Sequence, residues 1–156
     1  MAAVDVTKVL DDAGVEYELL SHPHTETAAA EAEALGVDPG EVGKTLVLST
    51  PDGNVRAVLP GSARLDVRKV RDVLRVTGKR VHLLSEDALT RDYKEFELGA
   101  VPPLGGKSRD RVLVDTRLAE RDSIVIEAGS HDESVRIRTA DLIRLTEAQV
   151  ADICRD

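Results

Sequence analysis

Val42-Gly43-Lys44-Thr45-Leu46-Val47-Leu48-Ser49, then Thr50-Pro51-Asp52-Gly53, then Asn54-Val55-Arg56-Ala57-Val58-Leu59: these eighteen residues decide the fold class. The two outer runs have the β-branched and apolar content of buried strands, and the proline and glycine between them mark a tight connection. They predict an antiparallel hairpin. Lys44 stands at the mouth of the first strand, where its ammonium reaches water or a ligand.

Working outward, Val6, Val9, Leu10 and Ala13 recur at helical spacing ahead of Gly14, which predicts a helix over 4–13. Val15–Leu19 alternates as a strand does. His22-Pro23-His24-Thr25 is a turn, because the residue before a proline is pushed out of the helical region. Thr25 or Thr27 caps an alanine-rich helix that runs through Leu35 and closes at Gly36. Asp66 caps a helix to about Arg75 that turns Val67, Val70, Val73 and Leu74 inward. A short strand at Val81–Leu84 leads to a short helix opened by Ser85. Strands follow at Val112–Asp115, Ser123–Ala128 and Val135–Arg138, and one or two helices span Thr139–Ile153. Helices interspersed with hairpin-type connections predict an α/β fold of the α+β type: a mixed, largely antiparallel sheet flanked by helices.

The 156 residues suffice for one domain with a real core, here residues 1–156. Hydrophobic content of 42% with 32% charged residues is ordinary for a soluble protein. No secretory signal is expected, because the opening residues lack a charged stretch followed by an apolar one. No apolar run reaches bilayer length, and the lone Cys154 excludes an internal disulfide and reads as an incidental terminal thiol. A cytoplasmic protein without membrane contact fits. The net charge of −8 is unevenly spread. Residues 1–60 carry 11 acidic and 3 basic side chains, whereas Arg64, Arg68, Lys69, Arg71, Arg75, Lys79 and Arg80 face only Asp66 and Asp72 over 64–80. Arg64, Arg68, Arg71 and Arg75 line one helix face if that helix begins slightly early, either as a solvated stripe or as a phosphate-tracking one. Three aromatic residues leave too few platforms for stacking on single-stranded bases, so any nucleic-acid contact is local and backbone-directed, and DNA is not a partner.

Two later segments carry backbone chemistry. Gly99-Ala100-Val101-Pro102-Pro103-Leu104-Gly105 is neither helix nor inner strand, because its prolines lack N–H donors and its glycines admit positive φ. Its main-chain groups can orient water or stabilise an oxyanion. Gly129-Ser130-His131 sits at a strand-to-strand turn. The His22-x-His24 pair would bind a metal only with a third ligand close in space, so no metal and no cofactor are expected. Serine-hydrolase elbows and phosphate-binding glycine loops are absent, and no carboxylate dyad stands out among the scattered acids.

Gly43-Lys44-Thr45-Leu46-Val47, Leu59-Pro60-Gly61 followed by Leu65–Lys69, the Gly99–Gly105 loop, Gly129-Ser130-His131 and Asp141–Thr146 resemble, in this order, the YbaK/EbsC-like aminoacyl-tRNA deacylases. That family is also found as the editing insertion of bacterial prolyl-tRNA synthetases. The resemblance implies a trans-editing ester hydrolase acting on mischarged aminoacyl-tRNA, tRNA(Pro) with a small wrong amino acid foremost. It implies Lys44, Gly99 and His131 as catalytic groups, and His24, Thr45, Val101, Pro102, Gly105, Gly129 and Ser130 as substrate-binding ones. The tRNA acceptor end would lie on Arg64, Arg68, Arg71 and Arg75, with an aminoacyl-tRNA synthetase as a possible partner. A non-catalytic binding module on the same fold is the alternative. Ala100, Val101 and Pro102 make the loop stiffer and more apolar than the family pattern.

Overall fold

The computed structural model describes residues 2–76, 80–106 and 109–156; Lys79 of the basic run lies outside them. Helix α1 (Ala2–Asp12) buries Val6 and Leu10 and leads into strand β1 (Tyr17–Ser21). Helix α2 (Ala28–Leu35) starts where the Thr27 side chain accepts from the Ala30 amide, and it stops at Gly36, whose φ of 70° lets its N–H reach back to the last turn. The hairpin is strand β2 (Val42–Thr50) with strand β3 (Gly53–Pro60). Helix α3 (Val67–Leu74) is capped by Asp66, which accepts from the Arg68 and Lys69 amides. Then come strand β4 (His82–Leu83), helix α4 (Glu86–Asp92) capped by Ser85, and strand β5 (Arg111–Asp115). Asp115 caps the short helix α5 (Thr116–Ala119), which hands over to strands β6 (Ser123–Ser130) and β7 (Glu133–Arg138). Helix α6 (Thr139–Thr146) and strand β8 (Gln149–Ala151) close the chain.

All eight strands form one sheet in the order β1-β7-β6-β2-β3-β5-β8, with β4 attached to β2. The β1–β7, β6–β7, β2–β3 and β2–β4 pairs are antiparallel, while β2–β6, β3–β5 and β5–β8 are parallel. The mixed sheet flanked by helices is therefore as the sequence suggests. On one face α1, α5 and α6 pack Val6, Leu10, Leu118 and Leu142 against Val58, Val114, Ile124, Ile126 and Ile137. On the other, Val70 of α3 meets Leu48, Val55, Ala57, Leu59 and Leu113, and Ala32 of α2 meets Val42 and Val125. Gly43 suits this packing: a Cβ there would stand 3.2 Å from Val58 and 3.3 Å from Leu118, so both side chains would have to give way slightly.

Two expectations need correction at the C-terminus. The segment read as helix through Ile153 leaves the helix at Thr146, and Gln149–Ala151 joins the sheet as an edge strand parallel to β5. Glu147 at φ 52° ends the helix, with its N–H turned back to Arg144, and no glycine announces that cap. Cys154 is not an incidental thiol. It is fully buried under α3 and bridged to Leu65, and burial pushes its thiol up to about 11.

Candidate functional site

The site begins with a split in the sheet. Along one edge, β2 pairs with β6 only at Val42 and Gly43 and with β4 only at Leu48 and Ser49. Between these contacts β2 has no strand neighbour on that edge among the described residues. Diverging parallel strands leave backbone and side chains accessible beyond the point where they part, which is where open sheets bind ligands. Lys44 is the first residue of β2 past the fork and Glu127 its counterpart on β6, one position beyond the Gly43–Ile126 register. Alternation from the packed pair Val42 and Val125 turns both toward the α2 side.

Lys44 lies within β2 rather than at its mouth. Its side chain is half-buried, and among the described residues it makes no hydrogen bond or ion pair. Burial lowers its pKa; Cys154 opposes the shift, and the positive charge of Arg64, the smallest of the three influences, adds to it. A partly desolvated ammonium with a like charge beside it and no carboxylate partner is an anion- or carbonyl-seeking group. Thr45, facing the opposite way, has a buried hydroxyl that likewise lacks a partner.

The glycine loop and the β6–β7 turn are stapled into one corner. The Glu97 amide donates to the Gly129 carbonyl (2.8 Å), and the His131 amide donates to the Glu97 carboxylate (2.8 Å). His131 Nε2 lies 2.7 Å from the Leu98 carbonyl oxygen. A carbonyl only accepts, so Nε2 carries the hydrogen and this ring acts as a fastener. Gly99, at φ 86°, passes so close that a Cβ would sit 3.4 Å from the His131 ring. Ser130 donates to Asp132, and the His24 ring lies 5.0 Å from that of His131 with Nε2 bonded to Glu26. Gly99, Gly129, Ser130, His131 and His24 thus meet in one corner. His22 and His24 point to different partners: the His22 ring bonds the Pro23 carbonyl and Ser134.

Behind the corner is a group that reading the sequence missed. Arg56, 1% exposed in the middle of β3, donates from Nη1 to the Pro102 carbonyl and from Nη2 to the Gly105 carbonyl, each at 2.9 Å. Its Nε bonds Asp110 (2.9 Å), which also accepts from Tyr93 (2.6 Å), and the guanidinium lies 5.3 Å from the Tyr93 ring centre. Burial and that carboxylate push the Tyr93 phenol up to about 12. Pro102 and Gly105 therefore offer their carbonyls to Arg56, and Val101 packs with Val47, Tyr93 and Phe96 on the face of β2 away from Lys44. A concave region of about 610 Å³ lined by Arg56, Gly105, Arg109 and Glu147 lies behind the loop, and Lys44 is not part of its wall.

The structure also pairs carboxyls that looked scattered. Glu31, 1% exposed on the inner face of α2, hydrogen-bonds Ser134 and lies against Glu127. Burial, then the charges of Glu31 and Glu97, push the Glu127 carboxyl up to about 9. The signal was an acid at a position where periodicity asks for an apolar residue: Glu31 beside Ala32, and Glu127 two after Val125.

The arginine stripe does not form as one face. Helix α3 begins at Val67, so Arg64 precedes it, and Arg75 is the left-handed cap at φ 58°. Of the four, Arg68 and Arg71 alone share the helix, and Arg64 is near enough to Lys44 for its charge to be felt there.

Residues 22–145 match the family described as the aminoacyl-tRNA editing domain, and the chain belongs to that family of ester hydrolases. It is 27% identical over 143 residues, 88% of this chain and 83% of the relative, to the Enterococcus faecalis protein named "Putative Cys-tRNA(Pro)/Cys-tRNA(Cys) deacylase EbsC". It is 26% identical over 152 residues, 94% of this chain and 89% of the relative, to the Escherichia coli K12 "Multifunctional Ser/Thr-tRNA deacylase ProXp-y". Among solved structures, "a putative trans-editing enzyme for prolyl tRNA synthetase" superposes with a TM-score of 0.89 at 25% identity, over 99% of this chain and 98% of the other. Among the described residues no helix is long and apolar enough to cross a membrane.

Proposed function

We propose that this chain removes a small, wrongly attached amino acid from tRNA, with tRNA(Pro) among its substrates and no metal or cofactor needed. The observation that carries this reading is Lys44: a half-buried cation with no hydrogen-bond or ion-pair partner among the described residues, standing where β2 and β6 part. Its charge would hold the terminal phosphate or polarise the ester carbonyl, while Thr45, on the opposite face of β2, would support the site from behind. Gly99, Val101, Pro102, Gly105, Gly129, Ser130 and His24 would form or support the pocket wall. His131 serves by holding the Gly99 loop in place. The relatives' names extend the amino acids to consider to cysteine, serine and threonine. A second, hydrolytic sieve makes physical sense for such residues, since a synthetase gains only about 1–3 kcal/mol of discrimination from one methylene.

Incubating the purified protein with tRNAs carrying cysteine, serine, threonine, alanine or proline tests the reading. Release of a small non-cognate amino acid, with prolyl-tRNA(Pro) spared, is the expected outcome. Binding without release would instead favour a non-catalytic module. The acceptor end would run past Arg64, with Arg68, Arg71 and Arg75 farther along, and a synthetase could deliver it. Arg64→Glu should therefore raise KM for aminoacyl-tRNA and flatten its salt dependence by about 0.7 in logarithmic slope, the contribution of one single-strand phosphate. An unchanged slope would move the contact elsewhere, with Arg109 and Arg111 the next to test; Lys107 beside them lies outside the described residues.

A further inference from the structure

A hydroxyl owns one proton, and at Ser134 that proton has two claimants. The Ser134 side chain is fully buried, hydrogen-bonded to Glu31 Oε2 on one side and 2.9 Å from His22 Nε2 on the other. His22 Nδ1 lies 2.8 Å from the Pro23 carbonyl oxygen, which can only accept, so Nδ1 carries a hydrogen. If Ser134 donates to Glu31, Nε2 must donate to Ser134, and His22 is an imidazolium linked to a carboxylate. If Ser134 donates to Nε2, Glu31 is the protonated member. Either way the chain holds one proton more than a neutral imidazole and a carboxylate would, and the two arrangements interconvert by short shifts along existing hydrogen bonds.

Glu127 extends this chain to the fork of the sheet. Glu31 Oε1 is buried and has no hydrogen-bond partner among the described residues; Glu127, opposite Ser134 in register, is the carboxyl facing it, and a proton on Glu127 would satisfy that oxygen. Glu127 itself is only partly buried, on the strand that diverges from β2 beside Lys44. The groups facing it are Glu31 from α2 and Glu97 from the loop after α4, with Ser134 on β7 opposite in register and His22 beyond it.

We propose that His22, Ser134, Glu31 and Glu127 form a proton relay, in which Glu127 is the general acid–base group of ester hydrolysis and His22 its port to solvent. This rests on the hydrolase reading above. In the arrangement where Glu31 is ionised, the oxygen of water bonds to the ester carbonyl carbon as the carbonyl π pair moves onto its oxygen. A water proton passes to Glu127 and the proton of Glu127 passes to Glu31; the π bond re-forms in the second half. The reverse pair of transfers then protonates the ribose oxygen as the carbon–oxygen bond breaks, its electron pair leaving on that oxygen. The water is divided between acid and alcohol, and both carboxyls return to their starting states. The proton of the acid product leaves through Ser134 and His22.

Glu127→Gln keeps the size and an N–H donor but cannot accept a proton. It should lower kcat by roughly a hundredfold or more, with KM changed by less than about threefold, and abolish the limb of the pH–rate profile that reports Glu127. Ser134→Ala, which cuts the relay and leaves Glu127 in place, should lower kcat about tenfold and alter its solvent isotope effect. Infrared spectra at neutral pH should show a protonated carboxyl band that Glu127→Gln removes. Wild-type-like kcat in Glu127→Gln, or no protonated carboxyl at neutral pH, would overturn the relay. If wild-type protein cleaves no aminoacyl ester, the hydrolase reading fails first, and the infrared band still decides whether the carboxyls share a proton.

Discussion

Arg56→Ala is expected to destabilise the fold by about 3–5 kcal/mol, the range for removing one partner of a buried ion pair. Asp110, 5% exposed in its side chain, would lose its guanidinium, and the Pro102 and Gly105 carbonyls would lose their donors. Activity should fall as well in whatever fraction stays folded, because the loop carrying Gly99 is held from behind by that fork. Arg56→Lys separates the two effects. It restores a charge near Asp110 but offers a point donor in place of a planar fork, so part of the stability should return while kcat/KM stays low. Denaturant unfolding and kcat/KM on the same samples read both quantities. A full return of activity in Arg56→Lys would mean that the loop needs the charge and not the fork.

The second large effect is in pH. The folded-state pKa of Glu127 is raised to about 9 from an ordinary 4.5. A raised carboxyl contributes stability that is complete below the unfolded value and is lost as pH rises through the folded one. Between those limits unfolding releases this proton, so stability should decline by about 1.4 kcal/mol per pH unit for the single group. Unfolding free energies at pH 5, 7 and 9 should fall in that order, and Glu127→Gln should flatten the trend. A wild-type curve that rises from pH 5 to 9 would contradict the shared-proton arrangement.

Much of the fold is legible because local signals and tertiary packing agree. Thr27, Asp66 and Ser85 cap the helices they announce, Gly36 ends one, and Thr50–Gly53 closes the hairpin. The C-terminus fails because Gln149–Ala151 is too short to show a period and takes its conformation from β5 alone. Arg75 and Glu147 adopt left-handed caps that their residue types do not advertise. At the site, Lys44, Gly99 and His131 are visible as motifs. Arg56 and Glu127 are not, because one charged residue in an apolar strand looks like an edge or a solvated position until its partners, 46 residues away for Pro102 and on α2 for Glu31, are placed in space. The arginine stripe shows the converse error: spacing of four, three and four is helical only where the chain is helical, and Arg64 and Arg75 fall outside α3.

Lys44, half-buried and without an ion-pair partner among the described residues, is the group proposed to act on the aminoacyl ester. Amino acid release from one mischarged tRNA, measured side by side for wild-type and Lys44→Ala protein with unfolding free energies on the same preparations, tests that role most directly. Removing a partly desolvated cation that no carboxylate satisfies should leave stability unchanged or slightly higher, while turnover drops roughly tenfold or more. Wild-type turnover in Lys44→Ala would remove Lys44 from the chemistry and contradict the account.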